Sequence, residues 1–83
     1  MKVRLLYFAA IREALGREAE TLDTQAATLA VLRDELIARG DPYAAALARG
    51  KAVRAALDRA MRDESAALHD GAEVAFFPPV TGG

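Results

Sequence analysis

The 83-residue chain has no cysteine, no tryptophan and a single histidine, His69. Without cysteine there is no disulfide framework, and one imidazole cannot hold a structural zinc or an iron–sulfur cluster. A cysteine-free domain suits a reducing compartment, and a cytoplasmic protein is expected. No stretch approaches the ~18 uninterrupted apolar residues of a membrane span. The opening Met1-Lys2-Val3-Arg4 also lacks the apolar run and small-residue cleavage site of a secretion signal. A dominant charge is missing too, with 11 basic residues against 12 acidic ones. General nucleic-acid binders carry a basic excess, so neither nucleic acid nor membrane is an expected partner. Large apolar side chains are scarce: of 44 apolar residues, 20 are alanine, leaving 24. That is enough for one small core, in a domain that buries only about 60% of its unfolded surface.

What is present reads as a mixture of strands and helices. Residues 2–8 alternate, with Val3, Leu5 and Tyr7 on one face and Lys2, Arg4, Leu6 and Phe8 on the other. Ala9 to Leu15 forms a short helical turn stopped by Gly16. Residues 18–23 are a candidate second strand of poor propensity. The best helix is 29–39, N-capped by Thr28, striped by Leu29, Leu32, Leu36 and Ile37, and ended by Gly40 and Pro42. Residues 43–62 read both ways: Val53, Leu57 and Met61 recur at helical spacing, while Val53, Ala55 and Leu57 alternate and Gly50 interrupts any continuous helix. Asp70-Gly71 is a turn, and Glu73 to Phe77 is a strand stopped by Pro78-Pro79. On that strand Val74 and Phe76 share the inner face, and Glu73, Ala75 and Phe77 the outer one. Strand, extended segment and helix in succession predict an α+β class.

The last six residues, Pro78-Pro79-Val80-Thr81-Gly82-Gly83, carry chemistry. Two prolines cannot donate ladder hydrogen bonds, so the chain leaves the sheet there. A domain of residues 1–77 and a flexible tail of 78–83 are expected. Extended, the tail spans at most ~20 Å, and its last two residues have no side chain to obstruct a narrow channel. A glycine carboxylate is unshielded, so a partner with ATP can convert it to an acyl-adenylate. A lysine amine would then give an isopeptide, and a sulfur nucleophile a thioester or thiocarboxylate. Chain ends fray and glycine is common in them; a chance pair arises about once in two hundred chains at ~7% usage. The strand before it, the double proline and the uncharged stretch from Val74 onward raise this pair above that background.

These residues resemble a known family. Asp70-Gly71-Ala72-Glu73-Val74-Ala75-Phe76-Phe77-Pro78-Pro79-Val80-Thr81-Gly82-Gly83 is similar to the C-terminal signature of molybdopterin synthase small subunits, the MoaD-type sulfur carriers. Val3-Arg4-Leu5-Leu6-Tyr7-Phe8-Ala9-Ala10-Ile11-Arg12-Glu13 is similar to that family's first strand and following turn. The resemblance implies a β-grasp, ubiquitin-like fold: a mixed sheet around one main helix, residues 51–62 largely extended, and an extended C-terminal tail. It implies that an ATP-dependent adenylating enzyme activates Gly83, that sulfur is installed there as a thiocarboxylate, and that Gly82 gives clearance. It further implies that the tail enters the large subunit of molybdopterin synthase, in a heterotetramer. There it donates sulfur to cyclic pyranopterin monophosphate, forming the molybdopterin dithiolene of molybdenum cofactor biosynthesis. By this resemblance the chain alone catalyses nothing and binds no cofactor or metal, ATP being used by the activating partner. A chain without cysteine cannot carry a side-chain persulfide, which leaves its terminus for sulfur. A ubiquitin-like modifier conjugated through the same glycine is a rival, as is a thiazole-synthesis-type sulfur carrier, which usually lacks Phe-Pro-Pro-Val. A third is an alanine-rich helical adaptor.

The chain departs from the family at two places. It has Leu57-Asp58-Arg59 where a valine and Asn-Gln are usual, and Ala72 where an acid is usual, the latter expected to alter only a surface charge. Phe8 and Phe77 are expected on outer faces, where with Leu6 and Met61 they would form a patch. The resemblance makes Phe8, Met61, Phe77, Pro78, Pro79, Val80 and Thr81 partner-binding residues. The basic run Arg49, Lys51, Arg54, Arg59 and Arg62 reads as a solvated face, or as one that steers an acidic partner or an anionic pterin phosphate. His69 is expected at the surface, and the acid pairs Asp34-Glu35 and Asp63-Glu64 carry no chemistry.

Overall fold

A computed structural model describes residues 1–79. Strand β1 (Lys2–Tyr7) follows the predicted alternation: Val3, Leu5 and Tyr7 are buried, while Lys2 and Arg4 are exposed. Helix α1 (Ala9–Leu15) buries Ile11 and Leu15 and ends at Gly16, whose φ of 72° is the left-handed conformation glycine adopts without penalty. Strand β2 (Ala19–Asp23) returns antiparallel to β1. Helix α2 (Leu29–Ile37) begins where Thr28 caps it, its hydroxyl accepting from the Val31 amide at 3.2 Å. Leu29, Leu32 and Leu36 are fully buried, so the leucine stripe is the core face. The helix stops two residues before the predicted Arg39. The Arg39 and Gly40 amides bond instead to the Leu36 and Ile37 carbonyls, three residues back, which tightens the last turn.

The ambiguous middle splits. Tyr43–Ala46 is a short helix, α3; Arg54–Leu57 is strand β3 and Ala60–Met61 is strand β4. No continuous helix runs from 44 to 61. Lys51–Val53 lies in neither helix nor strand, so the extended region is shorter than the expected 51–62. Helical propensity loses here because Ala55 and Leu57 reach the core only when extended, and β3 gains a ladder along strand β5 (Glu73–Phe77).

The sheet order is β2-β1-β5-β3-β4. The first and last strands lie side by side in its centre, parallel, with Leu5 opposite Val74 and Tyr7 opposite Phe76. Helices cover one face; Val3, Leu5, Tyr7, Ala55, Leu57, Val74 and Phe76 meet α2 and α1 in a single core. This is the expected α+β β-grasp. Its central parallel pair brings the end of β5, where the tail begins, beside the end of β1.

Candidate docking face and tail root

The face of the sheet opposite the helices is built by strand alternation. Across it the register aligns Leu6 with Ala75, Ala75 with Ala56, and Ala56 with Met61. All four side chains therefore emerge on one side, spanning three strand spacings, about 14 Å. The two alanines make a flat apolar floor between the larger ends. Met61 is 58% exposed and Phe8 45%, both high for side chains of their size. One rung on, Phe77 pairs with Arg54, and one rung back, Arg4 pairs with Glu73. An apolar band thus crosses the sheet, with a charged margin on the side away from the tail.

Phe8 lies just beyond β1 rather than within it. It is the N-cap residue of α1, with extended backbone (φ −127°, ψ 154°), and its amide donates to the Phe76 carbonyl at 3.2 Å. Extended geometry continues the alternation one residue past the ladder, which keeps Phe8 turned outward as the sequence suggested. Phe77, Pro78 and Pro79 are half-buried. Phe8, Phe77, Leu6 and Met61 thus share the outer side of one sheet, and the first two flank the tail root. Val80, Thr81, Gly82 and Gly83 lie outside the described residues.

Three polar clusters hold this arrangement, and sequence reading found none of them. The Glu20 carboxylate accepts from the hydroxyls of Tyr7 at 2.8 Å and Tyr43 at 2.7 Å, and pairs with Arg39 at 3.1 Å and Arg17 at 3.4 Å. Burial pushes this carboxyl up, but the bonds from Tyr43, Tyr7 and Arg39 outweigh it and hold it below its ordinary value. Burial, then the bond to Glu20, pushes the Tyr7 hydroxyl well up. The cluster gives β2, a poor strand by propensity, a side-chain tie to α2's end and α3 beyond its ladder with β1.

The second cluster surrounds Arg33, which is only 4% exposed. Its guanidinium donates to the carbonyls of Leu47 at 2.8 Å, Ala48 at 2.7 Å and Lys51 at 3.3 Å, and to Glu64 at 2.8 Å. Glu64 also pairs with Arg49, which reaches Asp34 at 2.8 Å. Arg49 is therefore exposed, as expected of the solvated run, but tied into ion pairs, and Asp34 and Glu64 have structural roles. Lys51, Arg54, Arg59 and Arg62 are exposed.

The third cluster sits at the opposite end of the sheet from the tail. Asp58 and Arg59 form the β3–β4 turn, both with positive φ, 50° and 70°. This is where the chain departs from the Asn-Gln pattern, and both strands form. The Asp58 carboxylate accepts from the Glu73 amide at 3.0 Å and from His69 Nε2 at 2.6 Å, while His69 Nδ1 donates to the Asp70 carbonyl at 2.9 Å. A carboxylate and a carbonyl both only accept, so the two contacts are made together only when both ring nitrogens carry a proton, which favours the imidazolium. The Asp58 bond and the Asp70 carbonyl raise the His69 pKa; the His69 bond and the Glu73 amide lower that of Asp58. Ala72, expected to alter only a surface charge, is fully buried, so an acid would not fit there unchanged.

Among the described residues no group of three or more metal-ligating side chains converges, and no helix is long and apolar enough to cross a membrane.

The chain matches the family model described as the ThiS family over residues 5–83. It is 40% identical to a molybdopterin synthase sulfur carrier subunit of Haemophilus influenzae, over 98% of this chain and 99% of the relative. It is 41% identical to the protein of the same name from Escherichia coli, with the same coverage. Among solved structures it superposes with TM-score 0.68 and 26% identity on a chain of the complex of subunits 1 and 2 of molybdopterin-converting factor from Helicobacter pylori, covering 100% of both chains. SAMP1 from Haloferax volcanii gives TM-score 0.77 at 22% identity, again over 100% of both chains, a likeness of fold. With its β-grasp sheet, its central parallel strand pair and a match that runs from the first strand to Gly83, the chain belongs to the ThiS family.

Proposed function

We propose that this chain is the sulfur-carrier small subunit of a two-subunit molybdopterin synthase. The observation that carries the proposal is the near-full-length identity to sulfur carrier subunits, within a family match that continues through the tail to Gly83. The β-grasp domain of residues 1–77 presents residues 78–83 as a tail. An adenylating enzyme joins the Gly83 carboxylate to AMP, releasing pyrophosphate from ATP. A sulfur nucleophile then displaces AMP and leaves a thiocarboxylate. In the large subunit the sulfur passes to cyclic pyranopterin monophosphate and water restores the carboxylate; two such transfers complete the dithiolene. Gly82 supplies clearance, and Pro78, Pro79, Val80 and Thr81 thread the partner's channel.

The Leu6–Met61 band with Phe8 and Phe77 docks the large subunit, as an exposed apolar patch of this kind fits a protein interface. The Helicobacter pylori relative, whose structure is a complex of two subunits, supports that partner. The heterotetramer, the cytoplasmic setting and the absence of a bound cofactor belong to the same proposal. Intact mass spectrometry tests it. After incubation with adenylating enzyme, ATP and a sulfur source, one oxygen should be replaced by sulfur, with the change on Gly83. Isopeptide adducts to lysine in place of that change would mark a protein modifier and sink the proposal.

A further inference from the structure

Beside the tail root, on the opposite side of β5 from Phe77, a pocket of about 120 Å³ opens between α1 and α3. Its walls include Ala10, Ile11, Ala14, Ala46, Ala52 and Pro78, and its one charged lining residue is Lys51. The lining is overwhelmingly apolar and the volume is far below the ~300 Å³ at which small-molecule sites begin, so it suits a single side chain. Three of its alanines, Ala10, Ala14 and Ala52, are exposed to solvent, and Lys51 has no ion-pair partner among the described residues.

The wall is held in place. Arg33, nearly inaccessible, spends three of its four bonds on the carbonyls of Leu47, Ala48 and Lys51, in the loop that leads into the pocket wall. Glu64 and Arg49 then fix Arg33 and Asp34 from outside. A buried guanidinium committed to loop carbonyls makes this wall preorganised, the condition under which a shallow pocket binds without an ordering cost.

We infer that this pocket is a second anchor point for the subunit that receives the tail. It takes one apolar side chain of the partner, and a neighbouring partner carboxylate pairs with Lys51. The occupant follows from charge complementarity and from position. The pocket shares Pro78 with the tail, so a protein that encloses Pro78 and Pro79 passes over it, and the Lys51 ammonium at its edge selects an acid. The inference rests on the proposed carrier function. It adds a contact on the helical side of the tail root to the docking face on the sheet side.

The test uses the purified large subunit of molybdopterin synthase from the same organism as probe, with the full chain bearing a chemically supplied thiocarboxylate. Ala14→Leu fills the pocket from an exposed helical position, and Lys51→Glu reverses its charge. Each should weaken binding by about tenfold or more, with the Lys51→Glu variant also losing part of the salt dependence. Lys2→Glu, at the far end of β1, should bind as wild type. At saturating large subunit, dithiolene formation should run at the wild-type rate, because the reactive end is untouched. Both variants should keep the wild-type melting temperature.

Wild-type affinity in both variants would overturn the inference. So would an effect that vanishes in a chain ending at Pro79, since the pocket would then serve this chain's own tail. Failure of the carrier function itself would show separately, as wild-type thiocarboxylate that yields no product.

Discussion

Phe76 is 1% exposed and stacks on Tyr7 with ring centroids 6.5 Å apart, whereas its neighbour Phe77 is half-buried on the outer face. Truncation should separate them. Phe76→Ala should cost ~3–5 kcal/mol, enough to unfold a domain this small, while Phe77→Ala should leave a cooperative thermal melt and weaken the complex. The reverse order of melting temperatures would mean that the register of β5 is wrong.

His69 offers a second residue-scale expectation. Its folded pKa is raised above the ordinary 6.5, so its contribution is complete below that value and is lost as pH rises through the raised pKa. Asp58 is lowered below 3.8, so its contribution is complete above that value and is lost as pH falls through the lowered one. The clamp is therefore fully made between about pH 4 and 6.5. An NMR titration should place His69 above 6.5, and Asp58→Asn should bring it back down.

At the scale of elements, the β3–β4 hairpin shows how tertiary pairing sets local geometry. Both of its turn residues have positive φ, which a two-residue hairpin connection favours and which Asn-Gly satisfies most readily. Arg59 at φ 70° carries a left-handed penalty of about 1–2 kcal/mol. It is offset only by a solvent-exposed ion pair with Glu73 at 3.5 Å, of a kind worth well under ~1 kcal/mol. Arg59→Gly should therefore stabilise the protein by up to ~1 kcal/mol in urea unfolding, with an unchanged m-value. A loss of stability would show that the Glu73 contact matters more than the backbone.

At the scale of the whole molecule, the central parallel pair of β1 and β5 places Phe77, Pro78 and Pro79 at one end of the sheet, and none of the three belongs to the buried core. Deleting Gly83, or appending one residue, should abolish sulfur transfer and leave the melting temperature nearly unchanged. Deletion retracts the carboxylate by up to ~3.6 Å, enough to miss a site that needs near-contact distance. A single-turnover assay with adenylating enzyme and large subunit checks this. Wild-type product formation by either variant would mean the sulfur travels by another route.

The sequence by itself determined which residues of β1 and β5 face inward, the Thr28 cap, the Gly16 stop, the outward Phe8 and Phe77, and the family. These depend on side-chain period, on φ preferences and on a contiguous terminal motif, all of which act within a few residues. Only the tertiary structure decided that Arg54–Leu57 is a strand, that Ala72 is interior, and that Glu20, Arg33 and Asp58 organise three clusters. Their partners lie far off in the chain: Tyr43 is 23 residues from Glu20, Glu64 is 31 from Arg33, and His69 is 11 from Asp58. A charge pattern records which residues can pair, but the β1–β5 register and the helix packing select which ones do. An alanine-rich segment such as 54–57 carries so little local preference that ladder bonds and the burial of Ala55 and Leu57 outweigh it.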